Sequence, residues 1–298
     1  MFKVKIGMLN KLYRKIIIVL LSKLKYDKEF MQYVTDYGLI ALEEKFLQID
    51  NQLFFEKLHD FALNGMNYGN GGFLDQSGEK WVMTYIKNKI RNKGNLILFD
   101  VGANIGTYSQ ALLSLFDDTN FHLYSFEPSK EAFKLLNVNI KDDRIKTINS
   151  GISSKTGQMT LFADFDGSAL GSVYKRLLDH HRINMEKSEI IEVTTLDDYC
   201  SKNNINRIDL LKLDIEGNEL EALRGAKDLL KNRCIQFIQF EFGGCNIDSA
   251  TFFQDFFYLL NNDYRIYRIL NQGIFEIKNY KETLEIFTTI NFLAELRS

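Results

Sequence analysis

The stretch Leu96-Ile97-Leu98-Phe99-Asp100-Val101-Gly102-Ala103-Asn104-Ile105-Gly106-Thr107 decides the fold. Leu96 to Phe99 form a continuous apolar run, the pattern of a parallel strand covered on both faces. An acidic residue follows, then a turn rich in Gly and Asn. Tyr108, Ala111, Leu112 and Leu115 then recur at helical spacing. Strand, glycine turn and helix make the first half of a βαβ unit, whose strand end binds a nucleotide-like ligand. Leu123 to Phe126 form a second apolar strand, closed by Glu127 and by Pro128, the only proline in the chain.

The glycine spacing narrows the ligand. A dinucleotide fold wants G-x-G-x-x-G, so that backbone can approach a pyrophosphate. Here Asn104 stands in place of a middle glycine between Gly102 and Gly106. Asn is the next-best residue at positive φ. Asp100, just before the turn, repels phosphate and attracts a cation. S-adenosylmethionine has no phosphate, and its sulfonium and ammonium are both positive. Glu127 lies 25 positions after Gly102, suitable for a ribose diol. A glycine turn alone also serves tight strand–helix packing; the two placed carboxylates are what point to the cofactor.

Five motifs resemble those of the FkbM family of methyltransferases, in the family's order. They are Asp100 to Gly106, Phe126-Glu127-Pro128, Thr195-Leu196-Asp197-Asp198, Leu211 to Glu219, and Gly225-Ala226. The resemblance covers about Gly78 to Phe242 and, more weakly, the C-terminus. It implies an α/β, Rossmann-like class I methyltransferase fold, with a seven-stranded mostly parallel sheet whose last strand is antiparallel. It also implies S-adenosylmethionine as cofactor and, usually, O-methylation. Gly151 departs from the family's frequent Ala.

The chain has 298 residues, 45% of them hydrophobic, enough to bury a substantial core. It reads as a methyltransferase domain over 73–298 with an N-terminal helical appendage over 1–72. A net charge of −2 and a pI of about 6.2 call for no nucleic-acid partner. Cys200, Cys234 and Cys245 show neither metal nor disulfide spacing and fit a reducing, cytoplasmic compartment. Four scattered histidines do not make a metal cage.

The first 25 residues carry seven basic side chains, Lys3 to Lys25, and no acid before Asp27. Ile16 to Leu21 is wholly apolar but only six residues long; a bilayer needs about 20. The plainer reading is a helix docked on the body. The sharper one is a basic helix on the anionic inner face of a membrane, a peripheral contact. Over 28–64 apolar residues recur at helical intervals, as in a cap or a homodimerisation element. Gly65 to Gly72 reads as a turn-rich link and the domain boundary. A helix capped by Ser77 follows.

Beyond the second strand, Ser129 caps a helix, and Ile145 to Ile148 form the third strand. It ends at Asn149 and Ser150, candidates for the adenine or simply turn residues. Met159 to Phe162 and Ile190 to Val193 are further strands. Between them, 164–187 has no period and reads as a substrate-facing loop. Leu210 to Leu213 is the fourth strand. Asn218 to Leu230 is helical and broken at Gly225. Ile235 to Phe240 is the fifth strand, with Glu241 at its end, and 264–270 and 289–296 are the last two.

Doubly wound sheets present ligands at the carboxyl ends of their strands. Asp214 and Glu216 follow the fourth strand there, with Asp214 near the sulfonium as well as the reaction. Helix starts also favour acids, which explains one better than two. Asp214, Glu216 and Glu241 are the candidate catalytic residues. They serve as the base for an acceptor hydroxyl, or as oxygen ligands of a divalent metal such as Mg²⁺. His181 is an outside candidate. The cofactor-binding set is Asp100, Gly102, Asn104, Gly106, Glu127, Asn149, Ser150 and Asp214. The function expected is S-adenosylmethionine-dependent O-methylation of a sugar hydroxyl in a surface glycan or natural product. The alternative is a catalytically inactive binding module of the same fold in a glycan biosynthetic complex. A nicotinamide oxidoreductase is disfavoured by the missing G-x-G-x-x-G.

Overall fold

In the computed structural model, residues 52–72 and 74–298 are described. The basic helix expected over 1–25, and the expected helices up to residue 51, lie outside them. The chain divides into two compact units, Met1–Ala62 and Leu63–Ser298. Helix α1 spans Gln52–Gly65. The glycine-rich stretch read as a link folds back onto the second unit. Tyr68 is fully buried there, and Gly69 N donates to Thr289 O over 2.9 Å. The stretch keeps the turns its glycines call for, and Tyr68 anchors them in the core.

The second unit runs α2 (Glu79–Ile90), β1 (Leu96–Val101), α3 (Thr107–Leu115), β2 (Phe121–Phe126), α4 (Lys130–Asn139), β3 (Ile145–Ile148), β4 (Gly151–Ile152), β5 (Gly157–Ala163) and β6 (Lys187–Thr194). It continues through α5 (Leu196–Lys202), β7 (Leu210–Leu213), α6 (Glu219–Arg224), α7 (Lys227–Lys231), β8 (Phe237–Phe242), α8 (Cys245–Asp248), α9 (Phe253–Leu260), β9 (Tyr264–Leu270), β10 (Gly273–Glu276) and β11 (Ile290–Leu296). Ser77 Oγ accepts the Glu79 amide at 3.2 Å as α2 begins. α6 and α7 break at Gly225, where a Cβ would stand 2.2 Å from Ser153 O.

The main sheet has eight strands in the order β10-β9-β11-β8-β7-β1-β2-β3. β1, β2, β3, β7 and β8 are parallel, and β11 is antiparallel to both β8 and β9. Removing β10 leaves the expected seven-stranded sheet with its last strand reversed. β10 is an addition, an edge strand hairpinned onto β9. A separate three-stranded sheet, β4-β6-β5, stands beside the carboxyl end of β3.

Alternation along each strand divides the sheet into two faces. On β8, Ile238, Phe240 and Phe242 enter the larger core with α5, α6, α7 and α9. Phe237 enters the other core, with α2 and α3, and Gln239 and Glu241 share its face. β8 is longer at its carboxyl end than the expected strand. Glu241 therefore sits inside it, paired with Asn291 of β11, rather than beyond its end. The expected loop over 164–187 holds no α-helix and meets a strand only at its last residue, where β6 begins; a short 3₁₀ turn covers Asp179–His181. It is nonetheless packed: Ser172 bridges to Phe162, and Leu178 and Met185 are buried. No helix among the described residues is long and apolar enough to cross a membrane.

The larger core is built on aromatics. Phe240 stacks on Phe256 at a centroid distance of 4.7 Å, and Phe253 packs on Phe292 at 4.5 Å. Phe240→Ala should therefore cost about 3–5 kcal/mol of unfolding free energy in a denaturant titration. A loss below about 1 kcal/mol would show that this stack does not organise the core.

Candidate functional site

Two turns meet at the carboxyl edge of the sheet. The first follows β1. Gly102 has φ +87°, and a Cβ there would lie 1.8 Å from Asp214 O, so only glycine lets the turn after β7 approach. Asn104 takes φ 47°, as its identity led one to expect. The amides of Gly102 and Ala103 both donate to Phe126 O. The next amide, Asn104 N, donates to Glu127 Oε2 at 2.9 Å, and Ser129 N donates to Glu127 Oε1 at 2.8 Å. Each Glu127 oxygen keeps a second lone pair, so the carboxylate can still accept two hydroxyls. Burial pushes Glu127 up to about 7 despite the two amide bonds.

The second turn, Asp214 to Gly217, follows β7. Glu216 has φ 51° and Gly217 φ 105°. A non-glycine residue at that φ costs on the order of 1–2 kcal/mol. The turn is held by Glu219, whose carboxylate accepts Ile215 N at 2.8 Å and Gly217 N at 3.0 Å. Burial pushes Glu219 up to about 7 as well. Between the turns lies a cleft open to solvent at its mouth. Gly102, Asn104, Glu127, Asp214 and Glu216 line its polar side. Pro128, Ile152, Leu161 and Val193 line the other, the last three from the small sheet.

The three candidate acids have different surroundings. Asp214 is 37% exposed, with Oδ2 3.1 Å from Lys212 Nζ. Glu216 pairs with Arg176, whose Nε also lies 3.7 Å from Asp248 Oδ2. Glu241 is only 8% exposed, and among the described residues it has neither a hydrogen-bond nor an ion-pair partner. Burial raises both glutamates. Arg176 pulls Glu216 back, whereas neighbouring acids, Asp214 first, push Glu241 further up. Glu216, Glu241 and Cys245 each place a ligand-type atom within 4.8 Å of the others. Asp214 is not in that group. Two carboxylates, one already paired with a guanidinium, and a buried thiol are not the oxygen donor set of Mg²⁺.

The other expected residues divide. Asp100 is fully buried behind the first turn, and its Oδ2 accepts Ser109 Oγ at 2.7 Å. Gly106 starts α3 in the left-handed region. Asn149 Nδ2 donates to the carbonyls of Glu127 and Pro128, and Ser150 Oγ to those of Gly151 and Glu192. Both thus shape the bend after β3, and neither lines the cleft. His181 is exposed and lies against His180. The 164–187 loop does reach the site: Ser168, Gly171 and Val173 line the cleft, and Ser172 Oγ donates to Glu216 O at 2.7 Å. Sequence reading missed Lys212, Arg176, Glu219 and Cys245. Only Glu219 carried a local signal, an acid in the first turn of a helix.

A model of the methyltransferase FkbM domain matches residues 100–266, more than half of the chain. The hexuronic acid methyltransferase AglP of Haloferax volcanii is 28% identical over 140 residues, 46% of this chain and 52% of that protein. The 2-O-methyltransferase NoeI of Sinorhizobium fredii is 26% identical over 148 residues, 46% of this chain and 60% of that protein. The matches thus span little more than half the length of these relatives. A crystal structure of methyltransferase FkbM from Methylobacillus flagellatus KT, 18% identical, aligns with a TM-score of 0.41 over 67% of this chain and 43% of that one.

Glu127 gives a pH test of the first turn. Its pKa in the folded chain is raised from 4.5 to about 7. Folding therefore takes up a proton, and this contribution is full below pH 4.5 and lost as pH rises through 7. Relative to Glu127→Gln, the ligand-free wild type should lose up to about 3 kcal/mol of unfolding free energy between pH 4.5 and 8. Parallel stability curves for the two proteins would mean that Glu127 is not held as described.

Proposed function

We propose, for a chain that belongs to the FkbM methyltransferase family, transfer of a methyl group from S-adenosylmethionine to a hydroxyl of a sugar in a glycan or natural product. The residues at the cleft fit that cofactor. Glu127, oriented by two amides, has two lone pairs left for a ribose diol. Pro128, Ile152, Leu161 and Val193 offer an apolar face for a purine. Asp100 and Asp214 stand where positive charge is favoured, and the only cation near them, among the described residues, is Lys212, already held by both. A pyrophosphate would meet these acids without a compensating cation.

When bound, the cofactor supplies a methyl group already activated on a positive sulfur. The chain must then hold an acceptor oxygen in line with it and take the hydroxyl proton. Alignment alone is worth on the order of 7–11 kcal/mol. Glu241 suits the proton. The residue is buried, and among the described residues its carboxylate has no hydrogen-bond or ion-pair partner that would compete for the proton. Glu216, fixed by Arg176 and by the strained turn, shapes the acceptor side. The relatives' names, a hexuronic acid methyltransferase and a 2-O-methyltransferase, support a sugar hydroxyl as the acceptor. No step requires a metal.

The observation that carries the reading is the acid-flanked glycine turn with Glu127 lining the cleft; Glu241, without a partner among the described residues, stands within 4.8 Å of Glu216 just outside that lining. Its test is methyl transfer from labelled S-adenosylmethionine to a panel of hexoses, uronic acids and their glycosides, with and without EDTA. Expected are a methyl ether on a ring hydroxyl and indifference to EDTA. Glu241→Gln should lower kcat by roughly 10²–10⁴-fold with cofactor affinity unchanged. Near wild-type turnover in folded Glu241→Gln would remove Glu241 as the base. Loss of activity in EDTA, restored by Mg²⁺, would overturn the metal-free mechanism.

A further inference from the structure

The strand register aligns a buried polar row beneath the first turn. Ser125 on β2 pairs with Asp100 on β1, Asp100 with Lys212 on β7, and Lys212 with Gln239 on β8. All four residues are buried. Lys212 Nζ lies 3.1 Å from Asp214 Oδ2, 3.6 Å from Asp100 Oδ1 and 4.6 Å from the centroid of the Tyr108 ring. Asp100 Oδ1 has no hydrogen bond, so the ammonium is its sole compensation among the described residues. From α2, Glu79 faces the same group. Its carboxyl accepts Ser77 Oγ at 2.9 Å and Gln239 Nε2 at 2.7 Å, and Gln239 Oε1 accepts the Tyr108 hydroxyl at 2.9 Å.

A lysine in this place has no packing rationale, since an apolar side chain would fill the row without desolvating a charge. What it supplies is one positive charge against the two carboxylates. Asp214 alone of the three reaches the cleft, so the charge felt there is set from behind, by Lys212. Methyl transfer turns a sulfonium into an uncharged thioether. A site with both acids uncompensated would hold the sulfonium tightly and oppose its loss, because binding the ground state more strongly than the transition state slows the chemical step.

We propose that Lys212 is a positioning residue that sets how strongly the cleft prefers the sulfonium cofactor over its uncharged thioether product. This rests on the cofactor reading above. The test is calorimetric titration of S-adenosylmethionine and S-adenosylhomocysteine at pH 8. The quantity read is the ratio of their dissociation constants, product over cofactor. Lys212→Met removes the charge at similar volume and should raise the ratio about tenfold or more, as expected for a unit charge at an effective dielectric constant near 20. Asp100→Asn removes the opposite charge and should lower it by a similar factor. Lys212→Arg should keep the wild-type ratio even if both ligands bind more weakly.

A role in packing alone would move both affinities together and leave the ratio fixed. A ratio within twofold of wild type in folded Lys212→Met and Asp100→Asn overturns the proposal. If Lys212→Met does not fold, Asp100→Asn decides by itself. Failure of the wild type to bind either ligand would instead overturn the cofactor reading, and this proposal with it.

Discussion

Gly102 lies against the carbonyl of Asp214 more closely than any side chain allows; a Cβ there would stand 1.8 Å from that oxygen. The turn after β1 and the turn after β7 are thereby one packed unit, although more than a hundred residues separate them. Everything at the cleft follows from this contact. It brings Asp214 alongside the amides of the first turn and fixes Glu216 at a positive φ. It also closes the floor over a row of buried polar residues. In a parallel sheet such contacts form only where adjacent strands end together, which is why ligands collect there.

The acids at this edge fall into four arrangements, and their partners tell them apart. Glu127 and Glu219 spend lone pairs on backbone amides and hold a turn each. Asp100 and Asp214 share Lys212. Glu216 is tied to Arg176, and Glu241 to nothing among the described residues. Glu241 alone among these acids lacks a partner among the described residues, which is the ground for proposing it as the base. The distinction is one of hydrogen bonding, not of residue type.

Much of this was legible in the sequence because the signals are local. The run from Leu96 to Thr107, the pair Glu127-Pro128 and the order of motifs give the sheet and its ligand edge. Asn104 at positive φ and the break at Gly225 are likewise one-residue statements about backbone. What escaped depends on register and on loops. Lys212 interrupts the apolar run of Leu210 to Leu213, and nothing in that run says that it lies opposite Asp100. Arg176 sits in an aperiodic loop, so its meeting with Glu216 has no sequence signature. Tyr68 looked like one residue of a glycine-rich link, yet it is anchored in the core. Asn149 and Ser150 stand where an adenine contact was expected, but their side chains serve neighbouring carbonyls, a choice that spacing does not reveal.

The central claim is that the acid-flanked glycine turn is a site for S-adenosylmethionine, organised around Glu127. A crystal structure of the complex with S-adenosylhomocysteine tests it most directly. Expected are the ribose hydroxyls on Glu127, with the Asn104 and Ser129 amides still bound to the same carboxylate. The purine should lie against Pro128 and the thioether on the side of Asp214. A nucleoside lodged elsewhere, or a Glu127 that touches no ribose hydroxyl, would contradict it.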